Sequence, residues 1–371
     1  MNRLFNTKNI GFFDIAVKGS EGWFCNMFFN GLFHLNLITL DIDFVATLPS
    51  EDICAKEQYG PIEFYDNKLI IAPTGEKNIL IYDIACQTFK KIDISEFILG
   101  QENNAFRQII IVGNVAYMIP GRSKCILKLS LKDYTIEQIY FDIDELHISD
   151  FDENRWLFSD SFYSNDIIYI SSWQSNVLVE YRIKTDTFKY IPVSGLKNLS
   201  SCSYNNGTII VTDKNMAFIS LISDDYQEIY DLTNKIKYER GIRKVFPYKD
   251  KYILFPYKCN RIVECDGKFN DFVQVMELPG DYLTGVVVTY PDNARCCKII
   301  HDKEILFYSL FDNKIVLYNM DTKEVKEKLS EIQGKEKKKI SDIYEKVHFK
   351  GIVRENKITD LKTFINYIGE I

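Results

Sequence analysis

Three arginines and two acids carry most of the chemistry this chain offers. Arg107, Arg243 and Arg295 each stand near the start of an apolar run that reads as a β-strand, and so do Asp160 and Glu57. A guanidinium pairs in a planar fork with carboxylate or phosphate, so arginines converging from such positions would make an anion site. Asp160 or Glu57 beside them would be the general base of an enzyme, a role that needs a carboxylate with a raised pKa. Charge at the start of a strand is also ordinary loop chemistry, and both readings stand at this point. Histidine offers less. His34, His147, His301 and His348 show no HxxxH spacing, and no CxxC occurs, so no metal set is indicated. The run Ser200-Ser201-Cys202-Ser203 has no base placed beside it by any motif. No Gly-rich phosphate loop is present.

A second set of residues lies in polar turns between apolar runs. Trp173 sits in the middle of Ser172–Asn176, where a large ring has little core to fill. Arg122, Tyr257 and Lys258 lie in equivalent turns, together with Lys77, Lys124, Gln174, Lys214 and Phe311. Aromatic faces beside cations suit sugars, acidic sugars or peptides. The ligand-binding candidates are therefore Trp173, Tyr257, Lys258, Arg122, Arg107, Arg243 and Asp160. No catalytic residue, metal ligand or cofactor is assigned.

These positions matter only if an architecture gathers them. Residues 68–73, 74–78 and 79–82 read as strand, polar turn, strand, and 166–171, 172–176 and 177–181 repeat the pattern. With Tyr82 as anchor, equivalent positions are Leu37, Leu129, Tyr181, Leu221, Cys265 and Tyr318, spaced 40 to 53 residues apart. Seven residues further on stands Phe44, Phe89, Ile136, Phe188, Phe272 or Val325. The fifth copy drifts, with Tyr226 near that place. Self-similarity at this period points to four-stranded propeller blades. A single blade cannot bury both faces, but a closed ring of blades can. Asn78, Asn176, Asn215, Asn260 and Asn313 each precede the anchor by four to six residues and are expected to end turns in the left-handed conformation. The prediction is an all-β fold: a seven-bladed β-propeller of four-stranded antiparallel blades over residues 1–330, with a short helical C-terminal tail over 331–371. Six blades with an irregular edge is the fallback. The first blade is expected to hold its own four strands, which gives simple closure of the ring.

Over roughly residues 10–330 the repeat resembles the broad group of propeller repeats that includes the YVTN and NHL types. The paired glycines of kelch repeats and the Gly-His and Trp-Asp pairs of WD40 repeats are absent. The resemblance implies that the loop between second and third strands, with the links between blades, forms a binding face at the mouth of a central channel. The turn and strand-start residues above would then share that face. Propellers that act as lyases with two His and a carboxylate around a metal need channel histidines, which this chain does not supply.

Composition bounds the rest. A net charge of −7, with no basic block beyond residues 335–339, disfavours nucleic acid as a partner. No run approaches the ~18 apolar residues of a membrane helix, and the first residues do not read as a signal peptide. Nine cysteines, several inside strand patterns, read as reduced thiols of a cytoplasmic protein. The adjacent Cys296-Cys297 could pair, but free thiols are the simpler reading. Residues 330–345 read as a solvated helix or a link. Thr359 then reads as an N-cap, with Leu361, Phe364, Ile365 and Ile368 on one stripe. That helix would dock on the propeller, contact a partner or contact a second copy. The expected function is a cytoplasmic binding module or scaffold that takes a protein or carbohydrate-like ligand on its loop face. The alternative is a lyase- or hydrolase-like enzyme acting on an anionic sugar or peptide at the channel mouth.

Overall fold

The computed structural model describes residues 10–49, 57–98, 105–149, 151–152, 155–223, 226–236, 241–256, 261–277, 294–309 and 313–332, with 338 and 340. They form seven four-stranded antiparallel sheets, each built from four consecutive strands. Numbered along the chain, the blades cover residues 16–47, 59–93, 106–140, 158–192, 199–231, 242–277 and 294–329. The first strands of blades 1 to 6 adjoin one another in succession, and those of blades 2 to 7 line a common channel, which makes the first strands the inner wall of the ring.

Hydrophobic pattern decides which strand goes where. The second and third strands are apolar on both sides, as in Lys68–Pro73 and Asn78–Asp83, where nearly every side chain is buried. A strand covered on both faces needs that composition. The fourth strand, as in Thr88–Asp93, is polar and largely exposed, so it faces solvent at the rim. Seven apolar clusters result, each shared by two neighbouring blades: 1 with 2, 2 with 3, and so on round to 7 with 1. Each large apolar side chain buried in these seams contributes about 1.5–3 kcal/mol.

The anchor residues are all buried. Tyr82 lies between Leu69 and Phe89 in register, Tyr181 between Ile168 and Phe188, and Tyr318 between Ile305 and Val325. Leu129 and Cys265 hold the same place, facing Ile136 and Phe272. Blade 1 differs, because Leu35 and not Leu37 occupies the anchor place and faces Ile42, not Phe44. A shift of two residues keeps every side chain on the same face of a strand, so alternation alone cannot detect it. In blade 5 the partner of Leu221 is Glu228, and Tyr226 lies outside the strand.

The turn asparagines behave otherwise than expected. Among Asn78, Asn176, Asn215 and Asn313, positive φ occurs at Asn313 alone (54°); Asn260 lies outside the described residues. Positive φ concentrates instead in the tight hairpins after first and third strands, as at Asp66, Asn206, Gln87 and Asp186. The longer second-to-third loops close through side chains. Asn176 Nδ2 donates to Val193 O (3.1 Å) and Asn313 Nδ2 to Ser330 O (2.9 Å), tying loop to inter-blade link.

Closure is simple: no blade mixes strands from the two chain ends. The seam between blades 7 and 1 is sewn by contacts outside the sheets. The Ile10 N–H donates to Ser330 O (3.3 Å), Ser330 Oγ donates back to Ile10 O, and Lys298 Nζ donates to Ile15 O (2.8 Å). Gly11 must be small here, since a Cβ would lie 2.5 Å from the Tyr308 ring. Ile332 and Ile340 are buried in the same seam, so residues just past the last blade dock there. The expected helix from Thr359 lies outside the described residues.

Candidate binding site at the channel mouth

The inner strands enclose a channel of about 540 Å³, within the ~300–1,000 Å³ range of small-ligand sites. Blade 5 lines it with small side chains of Leu199–Asn205, and the inner-strand serines of blades 4 and 5 have structural work. Ser159 Oγ donates to Leu199 O (3.0 Å) and shares a hydrogen bond with Ser171 Oγ (2.8 Å). Ser200 repeats this one blade on, donating to Ile242 O and sharing a bond with Thr212 Oγ1 (2.6 Å). These hydroxyls join blade 4 to 5 and blade 5 to 6, and no nucleophilic role is needed to explain them.

Past these small side chains two long ones meet. Lys244 of blade 6 forms an ion pair with Asp160 of blade 4, which also accepts the Cys202 N–H (3.2 Å). Asp160 and Lys244 keep 17% and 20% side-chain exposure, and both line the channel. Beyond the arc of blades 3 to 6, Lys298 of blade 7 reaches Glu63 of blade 2 (3.2 Å) and Asp14 before blade 1 (3.8 Å). Burial raises the pKa of Asp14, opposed by Lys298 and reinforced by Glu63. Burial pushes the Lys298 pKa down, but Asp14 and Glu63 outweigh it and hold the pKa above the usual lysine range. Lys298 gains this position from a bulge at Cys296-Cys297, where Cys296 takes a left-handed φ of 49°. Both cysteines are free thiols, and burial pushes the Cys296 and Cys202 pKa values up. Neither Cys296 nor Cys202 is therefore an activated thiolate.

At the rim of blades 3 to 5, two cations flank a pair of indoles. The Arg107 guanidinium lies 3.9 Å from the Trp156 ring centroid, Trp156 lies 5.6 Å from Trp173, and Lys214 Nζ lies 4.0 Å from the Trp173 centroid. Both indoles are half-buried. Each cation over a ring contributes about 0.5–2 kcal/mol. Arg107 also lines the channel and donates from Nε to Ser159 O (3.2 Å), so the ladder runs from channel wall to outer loop.

The structure brings together Arg107, Asp160 and Arg243 on the channel wall, with Trp173 reached from Arg107 through Trp156. Arg122 lies half-buried in the blade 3 loop, its Nε without a hydrogen-bond partner among the described residues. Tyr257, Lys258, Phe311 and the Arg295 side chain lie outside the described residues. Glu57 stands in the link to blade 2, outside the residues that line the channel. Gln174 is a clamp on the link between blades 3 and 4, bonding Asp152 through both N–H and O, and also Trp156 O (3.1 Å). Sequence reasoning missed Trp156, Lys244, Lys298, Asp14 and Glu63. Trp156 lies in an inter-blade link, and links share the loop face, so its position was readable; the lysines needed the register.

The three described histidines are elsewhere, and His348 lies outside the described residues. His34 pairs with Glu21 and Asp43 on blade 1, His147 caps a turn in the link before blade 4, and His301 lies at the seam, bonded to Gly19 O (2.6 Å) and Glu304 (3.0 Å). Among the described residues no group of His, Cys, Asp or Glu has the arrangement of a metal site. No described helix is long and apolar enough to cross a membrane.

Ring and site together define a seven-bladed β-propeller whose channel mouth is basic and aromatic. No known protein family matches the chain, and no curated protein is similar to it in sequence. The likeness to YVTN and NHL repeats thus rests on the repeat pattern alone. Solved structures do share the shape. A streptogramin B lyase is 13% identical, over 81% of this chain and 91% of that one, with a TM-score of 0.59. Virginiamycin B lyase from Staphylococcus aureus is 11% identical, over 81% and 94%, with a TM-score of 0.60. Kluyveromyces lactis Hsv2 is 11% identical, over 86% and 99%, with a TM-score of 0.55. At such identities the likeness is one of fold.

Proposed function

We propose that the protein is a binding propeller whose ligand, a protein segment or a glycan-like chain bearing negative charge, seats on the rim of blades 3 to 5. The observation that carries this reading is the Arg107–Trp156–Trp173–Lys214 ladder beside the channel. Indoles give flat apolar contact, and cations held over them lie in reach of an anionic group at low desolvation cost. A cytoplasmic setting fits the free thiols of the described cysteines. The test is a pull-down from host lysate with wild type and Trp156→Ala/Trp173→Ala, read by mass spectrometry and glycan analysis. A ligand retained by wild type and lost from the variant supports the reading. Identical recoveries from both proteins refute it.

A lyase- or hydrolase-like activity on an anionic sugar or peptide is the second reading. The observation that favours it is Asp14, a channel-wall carboxyl whose pKa burial raises, as a general acid or base requires. Asp160 suits that role less, because Lys244 engages it directly. Asp14→Asn should abolish any turnover found with such substrates, and full activity in that variant would end this reading.

A further inference from the structure

The charges on the channel wall are sorted by blade. On blades 3 to 6 the described lining residues include Arg107, Arg243 and Lys244 against one acid, Asp160. On blades 7, 1 and 2 they include Asp14 and Glu63 against one base, Lys298. Among the described lining residues one arc is thus net cationic and the facing arc net acidic. Each has bonding capacity beyond its internal pairs. An ionised carboxylate offers about four acceptor sites. Asp14 takes the Ile15 N–H (2.9 Å) and Ile62 N–H (3.2 Å), and Glu63 takes the Phe64 N–H (3.1 Å) and Lys298. Lys244 has three donors and gives one to Asp160. Further along the strands, away from the mouth, the wall turns apolar with Phe162, Tyr163, Tyr204, Phe246 and Pro247. Phe162 and Tyr204 stack at 6.1 Å. Tyr163 and Tyr204 remain 39% and 37% exposed, which is unusual for rings beside a core.

A purely anionic ligand would leave the acidic arc desolvated against nothing, and a purely apolar one would strand both arcs. We propose that the channel takes a short peptide with free termini and an apolar or aromatic side chain. Its carboxylate lies against Arg107, Arg243 and Lys244, its ammonium against Asp14 and Glu63, and its side chain on the aromatic end. This deepens the binding reading by naming a ligand class for the channel, and rests on that reading for the mouth as the way in.

The experiment is calorimetric titration of the full chain with alanyl-phenylalanine, alanyl-leucine and phenylalanyl-alanine, each also as its N-acetyl and C-amide forms. Free dipeptides should bind, and each blocked form should bind at least about tenfold more weakly, a difference of about 1.4 kcal/mol. Glu63→Gln should erase the discrimination against N-acetyl peptides and keep that against amides. Lys244→Met should do the reverse; should it fail to fold by near-UV circular dichroism, Arg243→Met takes its place. Equal binding of free and blocked peptides, or no binding by any free dipeptide, overturns the inference. So does binding insensitive to both charge variants. Loss of a mouth ligand in Trp156→Ala/Trp173→Ala with no dipeptide binding by wild type would overturn the channel inference and leave the mouth reading standing.

Discussion

Removing the Asp160–Lys244 pair tests how the channel wall is held. The pair joins blade 4 to blade 6 across the serines of blade 5. With 17% and 20% exposure it is too buried for the ~1 kcal/mol or less of a surface pair. It is too wet for the ~3–5 kcal/mol lost on breaking a fully buried one. Lys244→Met should therefore cost about 2 kcal/mol, because the Asp160 carboxylate is left with the Cys202 N–H (3.2 Å). Asp160→Asn should cost a similar amount, since Lys244 then sits beside Arg243 on one wall with no acid between. The double variant Asp160→Asn/Lys244→Met should cost less than the two singles combined, by about 1–2 kcal/mol. Urea denaturation followed by tryptophan fluorescence gives all three values on one scale. The exposed pair Asp166–Lys184 in blade 4 is the control, and its cycle should be additive. Additivity at Asp160 and Lys244 as well, within about 0.5 kcal/mol, would refute the reasoning.

Gly11→Ala should destabilise the protein by about 1–3 kcal/mol through overpacking, since the new Cβ meets the Tyr308 ring at 2.5 Å and Phe28 at 2.9 Å; an unchanged melting temperature would contradict this. His301 ties blade 7 to blade 1, and its pKa is raised, first by the Glu304 carboxylate and then by the Gly19 carbonyl. Its folded pKa thus exceeds the unfolded value near ~6.5, so its contribution is full below that value and fades as pH rises through the folded pKa. At 39% exposure it amounts to less than about 1 kcal/mol; denaturation midpoints of wild type and His301→Gln should converge as pH rises from about 6 to about 8.5, and a gap that widens would be the wrong sign. Iodoacetamide should modify the exposed Cys86 before the other described cysteines. Cys25, Cys202 and Cys296, with thiols pushed up by burial, should react after unfolding; early modification of Cys202 by peptide mass spectrometry would mean that the inner wall opens.

The blade count and order were legible because the second and third strands of every blade have mostly buried side chains and the anchors recur on one period. The register was less so. Leu37 stood in for Leu35, a slip that alternation tolerates, and the fifth copy drifted because Glu228 faces Leu221 where other blades place an apolar side chain. Of the strand-start residues read as facing the channel, Arg107, Asp160 and Arg243 line it and Glu57 does not, because alternate side chains of an inner strand also enter the seams, as Phe106, Phe158 and Ile242 do. Their partners were not legible. Lys244 lies next to Arg243 in sequence, yet its meeting with Asp160 depends on the small side chains of the blade between them. Lys298 depends on a bulge that no local motif announces. Trp173 was read as a lone ring with little to fill, and it instead lies between Trp156, tilted against it at 57°, and the Lys214 ammonium.

Simple closure has a consequence for synthesis. Because each blade is one contiguous stretch, a blade can pair its own strands as soon as it has been translated. Six of the seven seams then form in turn, each between a finished blade and the next one made. The seventh cannot. Ile10, Phe12, Phe24 and Phe33 bury themselves against Leu306, Tyr308 and Leu317, so the face of the first blade stays open for nearly the whole time the chain is being made. The loop-closure entropy of that last step grows only slowly with chain length, so waiting is thermodynamically cheap. Kinetically it is the exposed interval, in which an apolar sheet face is available to any other nascent copy. A premature stop before residue 294 would leave that face open for good.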